Sequence, residues 1–184
     1  MIAVIVLVVI GVIVAFSTVG TYNKIVQADE QVDAAFAQVD TVLQRRYDLI
    51  PNLVSTVKGY AEHERELFER VTELRSQWGK AESQGQKIQA ANQIEGALSR
   101  LLLVAENYPQ LKANQNFLAL QDELAGTENR IAVERRRYNE SIRTYNTLIR
   151  RFPVNMIAGM FGFEKRDEYF EAAQGAEEAP TVEF

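Results

Sequence analysis

The residues able to do chemistry in this sequence are few. The only histidine, His63, stands beside Glu64 in RRYDLIPNLVSTVKGYAEHE, residues 45–64. A zincin helix needs two histidines four residues apart with a glutamate after the first, and Leu67 occupies the second place. A di-iron bundle needs Glu-x-x-His pairs on facing helices, which one histidine cannot supply. His63 therefore reads as an exposed helix residue. There is no cysteine, so disulfides, zinc–thiolate sites and thiol nucleophiles are excluded by inventory. Paired carboxylates for acid–base work would have to come from Glu64, Glu106, Glu128 or Glu134. Glu64 falls in an apolar row, where a salt bridge or a solvent-facing head on a buried stem accounts for it. GKAESQGQK lacks the Gly-Lys-hydroxyl ending of a P-loop, GMFGFEK follows no strand, and no G-x-S-x-G occurs. The expectation is no catalytic residue, no cofactor and no metal: not an enzyme.

Two polar groupings remain. Arg45, Arg46 and Asp48 fall where a first body helix should end, and Glu106 and Asn107 where a third should end. They are expected to form a structural polar cluster at the membrane-distal pole, with Arg46 paired to Glu106. A ligand pocket there is the functional alternative. The basic run ERRRY, residues 134–138, is flanked by Glu134 and Glu140 and reads as a solvated face or a subunit contact. A net charge of -5 likewise gives no nucleic-acid signature.

The elements that must carry these residues are helices. MIAVIVLVVIGVIVAFSTVG opens the chain without a charged side chain. Eighteen such residues reach about 27 Å as a helix, close to the thickness of a bilayer core. A signal peptide would want a basic n-region, which is missing, so residues 1–20 are expected to be a retained transmembrane anchor. Lys24 is too small a basic excess to fix which side the body occupies.

Beyond the anchor, Ile25, Val32 and Val39 form one heptad row and Ala28, Ala35, Val42 and Leu49 another, the three-in-seven face of a bundle helix. Proline belongs in a helix's first turn, and Asp48 and Asn107 precede Pro51 and Pro109 as N-caps. GKAESQGQ, residues 79–86, reads as a loop. These signals place body helices at about 22–47, 49–78, 86–106 and 108–151. The expected fold is all-α: an N-terminal transmembrane helix continuing into an antiparallel up-and-down four-helix bundle over residues 21–152. A long helical hairpin kinked at both prolines is the runner-up. Residues 153–172 form an apolar hook too short to span a membrane, and 173–184 an acidic flexible tail.

Tyr-Asn recurs at 22–23, 138–139 and 145–146. Tyrosine suits a boundary with one apolar and one wet side. Tyr22, Tyr138, Tyr145, Phe152, Met156, Ile157, Met160, Phe161 and Phe163 are therefore expected at an interface or near the membrane.

QRRYDLIPNLVSTVKGYAEHE, AENYPQLKANQNFLALQDELAGTENRI, RRRYNESIRTYN and FPVNMIAGMFGF resemble the LemA family of bacterial membrane proteins. The resemblance runs from Tyr22 to about Phe170. It implies an N-terminal membrane helix and a four-helix domain, in a family with a magnetosome-associated branch. It implies no enzymatic activity, cofactor or catalytic residue. The missing basic N-terminus departs from the family pattern.

The expected function is a noncatalytic, single-pass protein of a bacterial membrane that acts by self-assembly or scaffolding and shapes the bilayer. Its partners would be lipid and copies of itself, with no nucleic acid. The homo-oligomer rests on Phe117, Leu124, Ile131, Tyr138, Tyr145 and Phe152, a heptad row that outruns the third helix and leaves its last turns uncovered. A sensor or adaptor that recruits an unidentified protein through the distal pole is the second class. An unrecognised enzyme is the third.

Overall fold

The computed structural model describes residues 1–61 and 64–171, so His63 and the acidic tail lie outside the described residues. Six helices follow one another: α1 (Ile2–Lys58), α2 (Arg65–Gly79), α3 (Gln84–Glu106), α4 (Pro109–Lys112), α5 (Gln115–Arg150) and α6 (Val154–Phe161). No strand occurs among the described residues, and α1 opens with a stretch long and apolar enough to cross a membrane.

The expected break at Pro51 is absent: α1 runs for 57 residues with this proline inside it. The heptad explains why. Ile25, Val32, Val39, Arg46 and Leu53 are all buried, as are Phe36, Leu43, Ile50 and Val57, so the stripe keeps its phase across the proline. A proline removes the N–H that would bond the carbonyl four residues back. Here that carbonyl belongs to Tyr47, and Arg75 of α2 donates its Nε–H to it at 3.1 Å. The neighbouring helix thus supplies the missing donor. The true end comes at Gly59, a poor helix former, where Tyr60 and Ala61 both bond back to the Val57 carbonyl.

Two other boundaries also move. Within the expected loop 79–86, Ser83 forms a capping box: its Oγ accepts from Gln86 N at 3.2 Å and the Gln86 side chain accepts from Ser83 N, so α3 begins at Gln84. Asn107 caps the end of α3 and does not start the last long helix. Pro109 begins only the single turn of α4. Asn114 is the working cap, accepting from the backbone N–H groups of Asn116 (2.9 Å) and Phe117 (3.1 Å). Asp48, expected to cap a second helix, lies within α1 and accepts from Gln44.

The chain forms two compact units. One joins Met1–Gln38 to Arg136–Asp167, so that it contains the start of α1, the end of α5, and α6. Its core is built from Ile25, Val32 and Phe36 on α1, Tyr138, Ile142 and Tyr145 on α5, and Ala158 on α6. Phe36 and Tyr138 meet ring to ring at 5.4 Å.

The other unit joins Val39–Arg135 to the chain from Glu168. It is the four-helix bundle. Tyr47 of α1 packs on Trp78 at the end of α2, Asp40 of α1 pairs with Lys87 at the start of α3, and Arg46 of α1 pairs with Glu128 of α5. These contacts fit α2 and α5 running against α1 and α3 running with it. That is the up-and-down order.

Candidate functional site

The bundle unit carries a layer of ion pairs at the margin of its apolar core, with Arg46 alone among its charged groups buried. Lys87 Nζ lies 2.7 Å from Asp40 Oδ2 and 5.3 Å from the centre of the Trp78 ring. Arg135 bonds Glu95 at 2.9 Å and lies over the Phe170 ring at 4.9 Å. Arg46, buried, bonds the half-exposed Glu128. Edge-on at 4.3 Å, Tyr47 and Trp78 form the aromatic wall of this layer. Burial pushes the Tyr47 phenol well above its ordinary value of 10.0, with Asp40 and Glu95 adding to the shift and Arg46 and Arg135 opposing it. The phenol is thus held neutral at any physiological pH. Buried polar atoms of Asp40, Arg46, Tyr47, Trp78 and Arg135 find no hydrogen-bond partner among the described residues. A layer of this kind fixes the register of four helices.

In the first unit the chain after α6 is fastened along α1 and α5. The Asn146 side chain donates to the Arg166 carbonyl at 2.7 Å and accepts from the Arg166 N–H at 2.9 Å, so it pairs with the extended backbone as a second strand would. Tyr145 donates its hydroxyl to the Glu164 carbonyl at 3.0 Å. The Arg166 guanidinium grips two carboxylates one helical turn apart, Asp29 (2.9 Å) and Asp33 (2.6 and 3.1 Å). The Asp33 hydrogen bond raises the Arg166 pKa further, against its partial burial. Burial, with Asp29 beside it, raises the Tyr145 phenol as well.

The residues singled out from sequence separate into several places. Arg46 finds Glu128, not Glu106, because α1 continues about ten residues, some 15 Å, past Asp48 while Glu106 stays at the end of α3. Arg45, Asp48, Glu106 and Asn107 are exposed. Tyr138 and Tyr145 are buried in their own unit. Phe117, Leu124 and Ile131 are buried too, so the heptad row is covered within one chain as far as Tyr145, and only Phe152, 80% exposed, escapes it. Tyr22 meets Phe161 (4.9 Å) and Phe163 (5.6 Å). Met156 and Met160 are exposed on α6, and Ile157 is half-buried. Among the described residues no group of three or more acidic or histidine side chains is placed to hold a metal ion.

Two functional residues had escaped sequence reasoning. Arg75 was invisible because its partner is a backbone carbonyl. Arg166 had a signal, the acidic pair Asp29 and Asp33 spaced four apart on one helix face, with an unassigned arginine in the hook.

An apolar N-terminal stretch running directly into an antiparallel helical bundle defines a class: membrane-associated, all-α proteins. Residues 35–184 match the LemA family, and the chain belongs to it. It is 28% identical over 176 residues to magnetosome protein MamQ 2 of Paramagnetospirillum magneticum, covering 82% of this chain and 64% of that protein. MamQ of Magnetospirillum gryphiswaldense is 27% identical over 81% of this chain and 64% of its own length. Protein LemA of Metamycoplasma hominis is 25% identical over 91% of this chain and 75% of its own. The chain thus spans somewhat less than two-thirds of the MamQ relatives' length. None of these names is that of an enzyme.

Proposed function

We propose that this protein is a noncatalytic scaffold, anchored in a bacterial membrane by a single pass of α1, whose copies assemble in the plane of the bilayer and shape it. The observation that carries this reading is that α1 is one helix from Ile2 through the buried row Ile25, Val32 and Val39. No linker separates the apolar stretch from the packed body. A body joined by a flexible linker would tumble independently of its anchor. One joined by continuous helix passes its orientation to the membrane, as a scaffold requires. The names of the magnetosome relatives and the absence of enzyme names among them support the same reading.

The test is the mass of the full-length protein in mild detergent and its effect on vesicles. Mass photometry should show multiples of the single-chain mass that grow with concentration, and reconstituted vesicles should change diameter with protein density. A single-chain mass at every concentration, with vesicles unchanged, would sink the proposal.

A further inference from the structure

The helix α6, VNMIAGMF, carries one polar side chain, Asn155, in eight residues. A helix that is apolar on all sides belongs in an apolar surrounding. Only its inner face has one: Ala158 is buried and Phe161 meets Tyr22. Its outer face does not. Phe152, Met156 and Met160, spaced by four, are 80%, 63% and 72% exposed. Two exposed arginines, Arg150 and Arg151, stand immediately before Phe152.

The position of this face selects its occupant. Tyr22 lies three residues beyond Val19, where the apolar stretch ends, and its ring touches Phe161 and Phe163 on either side of the Gly162 cap. The C-terminal end of α6 therefore stands within one helical turn of the end of the apolar stretch, at the level where the proposed anchor leaves the lipid. We infer that α6 is a second membrane contact, lying in the bilayer interface with Phe152, Met156 and Met160 among the acyl chains and Arg150 and Arg151 at the level of the lipid phosphates. An in-plane helix of this kind binds through buried apolar area together with attraction to anionic headgroups. The latch of Arg166 and Asn146 holds the chain after α6 against α1 and α5, so the contact is presented by the fold and not by a loose tail.

The chain has no cysteine, so single cysteines report without a background. Met160→Cys, and independently Met156→Cys, are spin-labelled in the full-length protein at one copy per nanodisc with anionic lipid. Ser99→Cys on the bundle and Val9→Cys in the apolar stretch are the references. The expected result is a collision rate with oxygen above that with a water-soluble nickel chelate at Met160 and Met156, and the reverse order at Ser99. Chelate-dominated collisions at both methionines would overturn the inference. So would slow collisions with both reagents together with spin–spin broadening when discs carry two copies, because a second chain would then cover the face. A label at Val9 that also reports water would unseat the anchoring reading itself. Val9 in lipid with both methionines in water overturns the present inference alone. Two label positions guard against a variant that fails to fold.

Discussion

Arg46 and Glu128 form an unequal pair. The arginine side chain is 10% exposed and the glutamate 38%. Removing the glutamate strands a buried cation, whereas removing the arginine leaves a carboxylate that water can reach. Glu128→Ala should therefore cost about 2–3 kcal/mol, toward the lower end for a broken buried pair, and Arg46→Met less than about 1.5 kcal/mol. Denaturant unfolding of the full chain reads both, and equal losses would show that the pair is solvated as a whole. Tyr47 gives a pH dependence with a fixed sign. Its folded pKa lies above the ordinary 10.0, so the folded state holds a proton that the unfolded chain gives up first. The associated stability is intact below pH 10 and is lost as the pH climbs toward the folded value. Tyr47→Phe should change stability by less than about 1 kcal/mol at pH 7 and flatten the decline above pH 10. Tyr145, shifted the same way, leaves a residual slope.

At the scale of the element, α1 tests the rule that proline ends helices. Arg75→Ala should cost about 1–2 kcal/mol by leaving the Tyr47 carbonyl without its donor. In a Pro51→Ala background the helix recovers its own N–H, so the same change should cost about 1 kcal/mol less. Additive losses in that double-mutant cycle would show that Arg75 acts by packing alone. The unbroken phase of Phe36, Leu43, Ile50 and Val57 was written in the chain, yet it was outweighed by a local rule about Pro51. Ser83-x-x-Gln86 is likewise legible as a capping box, masked by Gly79 and Gly85 around it. The rescue by Arg75 was not readable, because any donor on any neighbour would have served. Arg46 finding Glu128 was illegible for a related reason: its partner depends on where α1 ends, and that boundary was misplaced.

For the molecule as a whole, the all-helical class, the long apolar N-terminal helix and the order of the bundle followed from periodicity and from the absence of charge in the first twenty residues. The latch did not, since an extended segment has no period to read. Its energetic role can be measured. Arg166→Ala removes three charge-assisted bonds from a guanidinium that is 26% exposed, and should cost about 1–2 kcal/mol after solvent screening. Trypsin cleavage after Lys165 should quicken in step. Unchanged proteolysis would mean that Tyr145 and Asn146 hold the segment unaided. Removal of residues 2–19 should shift the protein from a salt-resistant membrane fraction to one released by a high-salt wash. Retention against high salt would place the dominant attachment elsewhere in the chain.

The borrowed donor at Tyr47 has a consequence in time. Synthesis delivers Pro51 to the growing chain before Arg75 exists. Until those further residues emerge, the first long helix has a missing rung close to its C-terminal end. The apolar stretch, made earlier still, can meet lipid while the helix beyond it is weakest at that rung. The last turns of α1 are therefore fixed late, when α2 folds back along them. A fragment that ends before Arg75, residues 1–74, should have backbone amides around residue 51 that exchange with solvent faster than those of the finished protein.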